Sequence, residues 1–181
     1  MNHEKINEII LEVYRTCNIR TFPIDCMSIL QKYGYPCIPY DRLSTKKQQA
    51  CEQISHDSFL LNHTIYYNAA VSYGRIRFSL MHELGHILLG HNTSSPEDET
   101  DADTLASNLL APPIIIHYTH CKTHTEIARR FEVTNKTALY MYQDYLRWYT
   151  RITKSGMSDS DKEVYLYFYD QKYSRKKALT S

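Results

Sequence analysis

A chain of 181 residues, 43% hydrophobic and 23% charged, is long enough to bury one core and too apolar for a disordered chain. Lys+Arg 21 against Asp+Glu 20 leave a formal net charge of +1, which removes the electrostatic case for a broadly basic nucleic-acid binder. The 5 glycines fit neither a P-loop nor a dinucleotide fingerprint, and no run approaches the roughly 18 apolar residues of a membrane span.

The predicted elements begin with Ile6, Ile9, Ile10, Val13 and Tyr14 at helical spacing, an amphipathic helix. A second helix is expected from about 25 to 33, stopped by Gly34 and Pro36. Cys37 to Tyr40 reads as a short strand and Ser44 to Gln53 as a solvated helix. Phe59-Leu-Leu61 and Thr64-Ile-Tyr-Tyr67 flank Asn62-His63, a hairpin pattern. Two strong helices follow, over about 75–90 and 96–111, the second stopped by Pro112-Pro113. One or two more helices are expected over 125–148. Residues 154–161 have linker composition, and beyond them lie an aromatic stretch, Val164 to Tyr169, and a basic one, Arg175-Lys176-Lys177. The expected division is a domain over 1–153 and a linker with an aromatic and basic tail over 154–181.

The 5 cysteines (Cys17, Cys26, Cys37, Cys51, Cys121) are odd in number, lack C-x-x-C spacing and follow no signal peptide. They read as reduced thiols of a cytoplasmic protein, not as disulfides or a cysteine zinc site.

The chemistry is concentrated in His82-Glu83-Leu84-Gly85-His86. On a helix, four residues turn through about 400°, so both imidazoles fall one turn apart on one face. One zinc about 2.0–2.1 Å from each nitrogen can take both, and Glu83 is then placed to act on a water at the metal. Leu80, Leu84, Ile87 and Leu88 form an apolar stripe opposite Ser79, His82, Glu83, His86 and Gly90. The next helix opens at Ser95-Pro96-Glu97-Asp98, a Ser cap with Pro in the first position, and buries Ala102, Leu105, Ala106, Leu109 and Leu110. Packed antiparallel, it brings Glu99 over the histidines as third ligand, leaving a fourth position for water. Asp103, on the same side, is placed to accept the second N–H of a ligand histidine. Asp98 and Asp101 are the competing carboxylates.

The run Tyr66-Tyr-Asn68, Arg75 to His91 and Glu99 to Pro112 resembles the ImmA/IrrE-type zinc metallopeptidases, over roughly 56–113. The resemblance implies zinc on His82, His86 and Glu99, with Glu83 as catalytic glutamate. It also implies a thermolysin-like core and action on helix-turn-helix repressors of mobile elements, prophages or stress regulons. Two departures are Leu105 for a common Phe and Asp101 for a common Glu, neither in the expected first shell.

Weaker signals surround this. Glu126 to Ala138 has helix-turn-helix rhythm, but Glu132 stands at the turn glycine and the second helix has few basic residues. Packing is therefore expected there, and direct DNA binding is not. His91, His117, His120 and His124 are extra imidazoles, each read as a surface or satisfied histidine. His117, Tyr118 and His120 are candidates for the oxyanion donor that hydrolysis requires besides the metal. The reading is an α+β, zincin-like fold, mostly helical with a small antiparallel or mixed sheet, without a membrane segment. Its expected function is a zinc (Zn2+) endopeptidase cutting a helix-turn-helix repressor. The alternative is a zinc-containing binding module that acts on DNA or a repressor without proteolysis.

Overall fold

The computed structural model describes residues 1–91 and 95–178, with side chains to residue 169. The basic side chains Arg175, Lys176 and Lys177 lie outside the described ones. In chain order the elements are α1 (His3–Thr16), α2 (Cys26–Lys32), β1 (Cys37–Pro39), α3 (Thr45–Ile54), β2 (Ser58–Leu61), β3 (Thr64–Tyr67), α4 (Tyr73–Leu89), α5 (Pro96–Leu110), α6 (Pro113–Tyr118), α7 (His124–Phe131), α8 (Asn135–Ser155) and α9 (Asp159–Ala178). The protein is thus mostly helical with one small mixed sheet. Among the described residues no helix is long and apolar enough to cross a membrane, and the five cysteines are free thiols.

The sheet has the order β1-β3-β2. β1 runs parallel to β3, with Cys37 opposite Ile65, and β2 is antiparallel to β3, with Phe59 opposite Tyr66. The hairpin forms because Asn62 and His63 both take left-handed backbone, φ 48° and 63°, as a two-residue type I′ turn demands. β2 is an edge strand as a result.

The core is built from the expected faces. Ile10, Val13 and Tyr14 of α1, Leu80 and Leu84 of α4, and Leu105, Leu109 and Leu110 of α5 are all buried, each worth about 1.5–3 kcal/mol of apolar transfer. The Tyr14 hydroxyl donates to the Leu109 carbonyl at 2.9 Å, so burying it leaves no polar atom unpaired.

Three differences from the sequence reading have physical reasons. Pro112-Pro113 does end α5, but Pro113 also starts α6, because a proline without an N–H suits the first turn of a helix. The linker composition of 154–161 shrinks to a break at 156–158 between α8 and α9. The aromatic stretch after it is core-forming helix: Phe168 and Tyr167 meet the Tyr14 ring at 5.4 and 6.4 Å. What fastens it is Asp161, 1% exposed. Its carboxylate lies within 3.1 Å of His3 Nε2, Asn7 Nδ2, Trp148 Nε1, an Arg151 guanidinium nitrogen and the Ser158 hydroxyl. An acid that reads as a turn residue in sequence is the buried tie between α1, α8 and α9.

Candidate metal centre

α4 carries the His-Glu-x-x-His run in its middle, where the backbone hydrogen bonds of a regular helix hold His82 and His86 one turn apart. α5 crosses directly against it, and Gly85 makes the crossing close. A Cβ there would stand 3.0 Å from the Ala102 carbonyl oxygen and 3.1 Å from its Cα, so any larger residue would push α5 outward. α5 itself begins in a full capping box, Ser95 and Asp98 each accepting from the other's backbone N–H, with Pro96 in the first turn. That fixes the register in which Glu99 and Asp103 face α4.

The donor atoms converge. His82 Nε2 and His86 Nε2 are 3.0 Å apart. Glu99 reaches them with Oε2 3.3 Å from His82 Nε2 and Oε1 3.6 Å from His86 Nε2. Ligands on a tetrahedral zinc at 2.0–2.1 Å stand about 3.3 Å from one another; the imidazole–imidazole separation and the two carboxylate contacts, one through each Glu99 oxygen, lie near that spacing. Among the described residues this is the one set of three or more His, Cys, Asp or Glu donors brought together in this way.

The proton assignments point the same way. His82 Nδ1 is 2.7 Å from Asp103 Oδ1, so that nitrogen carries the proton it donates, leaving Nε2 a bare lone pair. With both Nε2 atoms unprotonated, two imidazole lone pairs and a carboxylate around one point make a donor set that a cation would hold together. The donor set therefore fits a zinc ion.

Glu83 is 8% exposed and outside the donor triad. Its Oε1 accepts from the Ser58 hydroxyl at 2.8 Å, and the nearby Leu60 backbone N–H favours its charged form. Burial pushes its carboxyl pKa up, against the lowering effects of Ser58 and the neighbouring His82. At His82 burial is the largest single influence and pulls the pKa down, but Asp103 with Glu83 and Glu99 raises it overall. His86 is lowered by burial and by the charge of His82.

Ile54, Phe59, Leu60 and Phe78 line the same cleft, of about 580 Å³, together with these polar groups. Residues 58–60 of β2 thus lie along the cleft. Arg75 grips Asp57 through Nε and a terminal nitrogen at 2.5 and 2.9 Å, fixing the start of β2 to the first turn of α4.

His91 lines the cleft beside His86, whereas most of the other singled-out residues stand apart from it. Asp101 pairs with the Met1 amine at 2.7 Å, and Asp98 holds the α5 cap. His117 sits among the rings of Tyr118, Tyr145, Trp148 and Tyr149. His120 lines a different hollow with Phe22, Arg129 and Arg130. None of His117, Tyr118 and His120 lines the cleft. The α7–α8 turn does place Glu132 in the left-handed conformation, φ 55°. Buried Arg77 of α4 bonds the Phe131 carbonyl just before it at 3.3 Å, so this turn is packed against α4. Ser58 was not foreseen as a site residue; its role depends on which way an edge strand faces.

Comparison with known proteins places these features in a family. The peptidase family model described as IrrE N-terminal-like domain matches residues 38–142, the span from β1 through β2, β3, α4 and α5 into α8. No curated protein matches the chain. Among solved structures, a Mycobacterium tuberculosis transcriptional regulator superposes with TM-score 0.52 at 13% identity. That match covers 74% of this chain and 44% of the regulator's; the chain spans less than half of that structure's length, and the likeness is one of fold.

Proposed function

Because the chain belongs to the IrrE N-terminal-like peptidase family, we propose that it is a zinc-dependent endopeptidase with a zincin-like core. The observation that carries this reading is the separation of roles within one cleft. His82, His86 and Glu99 converge their donors on one point, while Glu83 stays buried beside them with its carboxylate tied to Ser58. Zinc held by that triad supplies Lewis-acid polarisation and a lowered pKa for water.

The protein's own groups do the rest. Glu83 accepts the proton of the attacking water as it adds to the peptide carbonyl carbon. It returns that proton to the nitrogen as the C–N bond breaks, so acid and amine leave. Ser58 holds Oε1 of the carboxylate, and the other oxygen is the one offered to the water. Asp103 keeps His82 in the tautomer that turns Nε2 inward. The outer edge of β2 offers unpaired backbone groups to an extended substrate strand, and Ile54, Phe59, Leu60 and Phe78 favour an apolar side chain near the cut bond. The proposed substrate is a helix-turn-helix repressor of a mobile element, prophage or stress regulon, by family resemblance. A docking surface outside the cleft, on the α7–α8 segment with Tyr140 as its exposed tyrosine while Tyr142 and Tyr145 pack partly against the core, then selects it.

Glu83→Gln tests the chemistry. The variant is expected to keep zinc and fold while losing cleavage of a repressor, read as fragments by mass spectrometry. A variant that cleaves at the wild-type rate overturns the assignment. Equal digestion of casein and of every repressor tried overturns the substrate class while leaving the chemistry.

A further inference from the structure

His91 follows the end of α4 and is not one of the three converging donors, yet it is among the best-placed side chains around them. Gly90 takes the left-handed conformation, φ 68°, and turns the chain back so that the His91 backbone N–H bonds the His86 carbonyl at 3.0 Å. The same turn lays the His91 ring beside the His86 ring, centroids 5.2 Å apart. His91 Nδ1 then stands 3.0 Å from His86 Nδ1. Its other nitrogen, Nε2, is 3.4 Å from Asp98 Oδ1, and the side chain is 12% exposed.

We propose that His91 is a positioning residue for the metal ligand His86, the middle member of a chain His86–His91–Asp98. This rests on the zinc reading above. With His86 Nε2 given over to a metal, the proton placement follows along the chain. For Nε2 of His86 to offer a lone pair, its Nδ1 carries the hydrogen, and His91 Nδ1 must accept it. His91 then carries its own hydrogen on Nε2, the nitrogen that faces the Asp98 carboxylate at 3.4 Å. His82 obtains the same result directly from Asp103, so each ligand imidazole has a carboxylate behind it, one at first hand and one through an imidazole. Asp98 also closes the α5 capping box, so the helix that supplies Glu99 is registered to the ring of His86 by one residue. His91 does not itself ligate in this arrangement, because it meets the nitrogen of His86 that points away from His82 Nε2.

The test compares His91→Asn with His91→Leu, side chains of nearly equal size. Asn puts an amide oxygen close to where Nδ1 stood and can accept the His86 N–H; Leu cannot. Zinc affinity is measured by competition with a chromophoric chelator, and the Co2+-substituted proteins are compared by visible absorption. His91→Leu is expected to bind zinc about 10–100-fold more weakly with an altered Co2+ spectrum. His91→Asn is expected to stay close to wild type in both. Metal-free thermal melts should coincide for all three proteins. Zinc binding by His91→Leu equal to wild type overturns the proposal, as does equal loss in both variants, which would make His91 a ligand or a packing residue. Wild-type protein that binds no zinc overturns this inference and the metallopeptidase reading together. Wild type and both variants binding zinc alike removes this inference alone.

Discussion

Two clusters in this protein combine histidine and carboxylate, and they use the same chemistry to opposite ends. At the α1–α8–α9 junction, Asp161 gathers hydrogen-bonding groups from four other residues besides His3, and its oxygens are spoken for by the protein. At the α4–α5 crossing, Asp103 orients a histidine outward, and the two Nε2 atoms and Glu99 face one another across 3.0–3.6 Å. The first cluster is closed by donors on every side. The second gathers two imidazole nitrogens and a carboxylate around one point, a group that could hold a metal ion. A buried polar cluster in which donors and acceptors balance is structure, and one with surplus acceptors converging is a site.

Removing one member separates the two. His86→Ala is expected to abolish stoichiometric zinc, because two remaining donors cannot hold the ion as three do, with little change in the metal-free melt. Metal analysis after dialysis reads the first, calorimetry the second; full zinc retention in the variant breaks the comparison at its stronger end. Asp161→Ala should do the reverse, lowering stability by about 3–5 kcal/mol, the range for removing one partner of a buried charged set, with zinc content unchanged in the fraction that folds.

The closed cluster also carries a pH signature. Burial pushes the Asp161 carboxyl up, but the bonds from His3, Trp148 and Ser158 outweigh it and hold it well below the usual carboxylate range. A carboxyl depressed on folding stabilises above its unfolded pKa of about 3.9 and progressively less below it. Wild-type stability should therefore decline as pH falls below about 4, and the decline should be shallower in Asp161→Ala. Parallel denaturation curves for the two proteins between pH 3 and 6 would remove Asp161 from the account. One step smaller, Asp103→Ala is expected to weaken zinc about 10–100-fold, measured by chelator competition. That is less than loss of a ligand, since His82 keeps its nitrogen and loses only its orientation.

Sequence periodicity reached the open cluster more fully than the closed one. His82 and His86 are separated by a local spacing, and the Ser95-Pro96 start sets where Glu99 falls on its helix; both are properties of a few consecutive residues. Asp161 depends on where α9 docks, and docking is a long-range matter that a Ser- and Asp-rich segment reports only as linker. His91 was legible as an imidazole but not as a partner, because its direction is set by the single left-handed residue Gly90. Ser58 depends on the face an edge strand turns to α4, which a hairpin pattern leaves open. Pro113 shows a related ambiguity, since the residue that forbids continuing one helix suits the start of the next.

The smallest expected effect tests the register on which the open cluster stands. Asp101 lies two positions beyond Glu99 on α5, about 200° around the helix, and its carboxylate meets the Met1 amine at 2.7 Å. The side chain is 33% exposed, where an ion pair is worth roughly 0–1 kcal/mol. Asp101→Ala should therefore change stability by no more than about 1 kcal/mol and leave zinc affinity where it was, by the same chelator competition. The comparison matters because Asp101 is as acidic as Glu99 and nearly as close in sequence to the histidines. A field of negative charge near the metal would treat the two alike, whereas a ligand defined by direction would not. Loss of zinc in Asp101→Ala, with retention in Glu99→Ala, would place the third donor on the other side of α5. It would also undo the match between Glu99 and the two imidazoles.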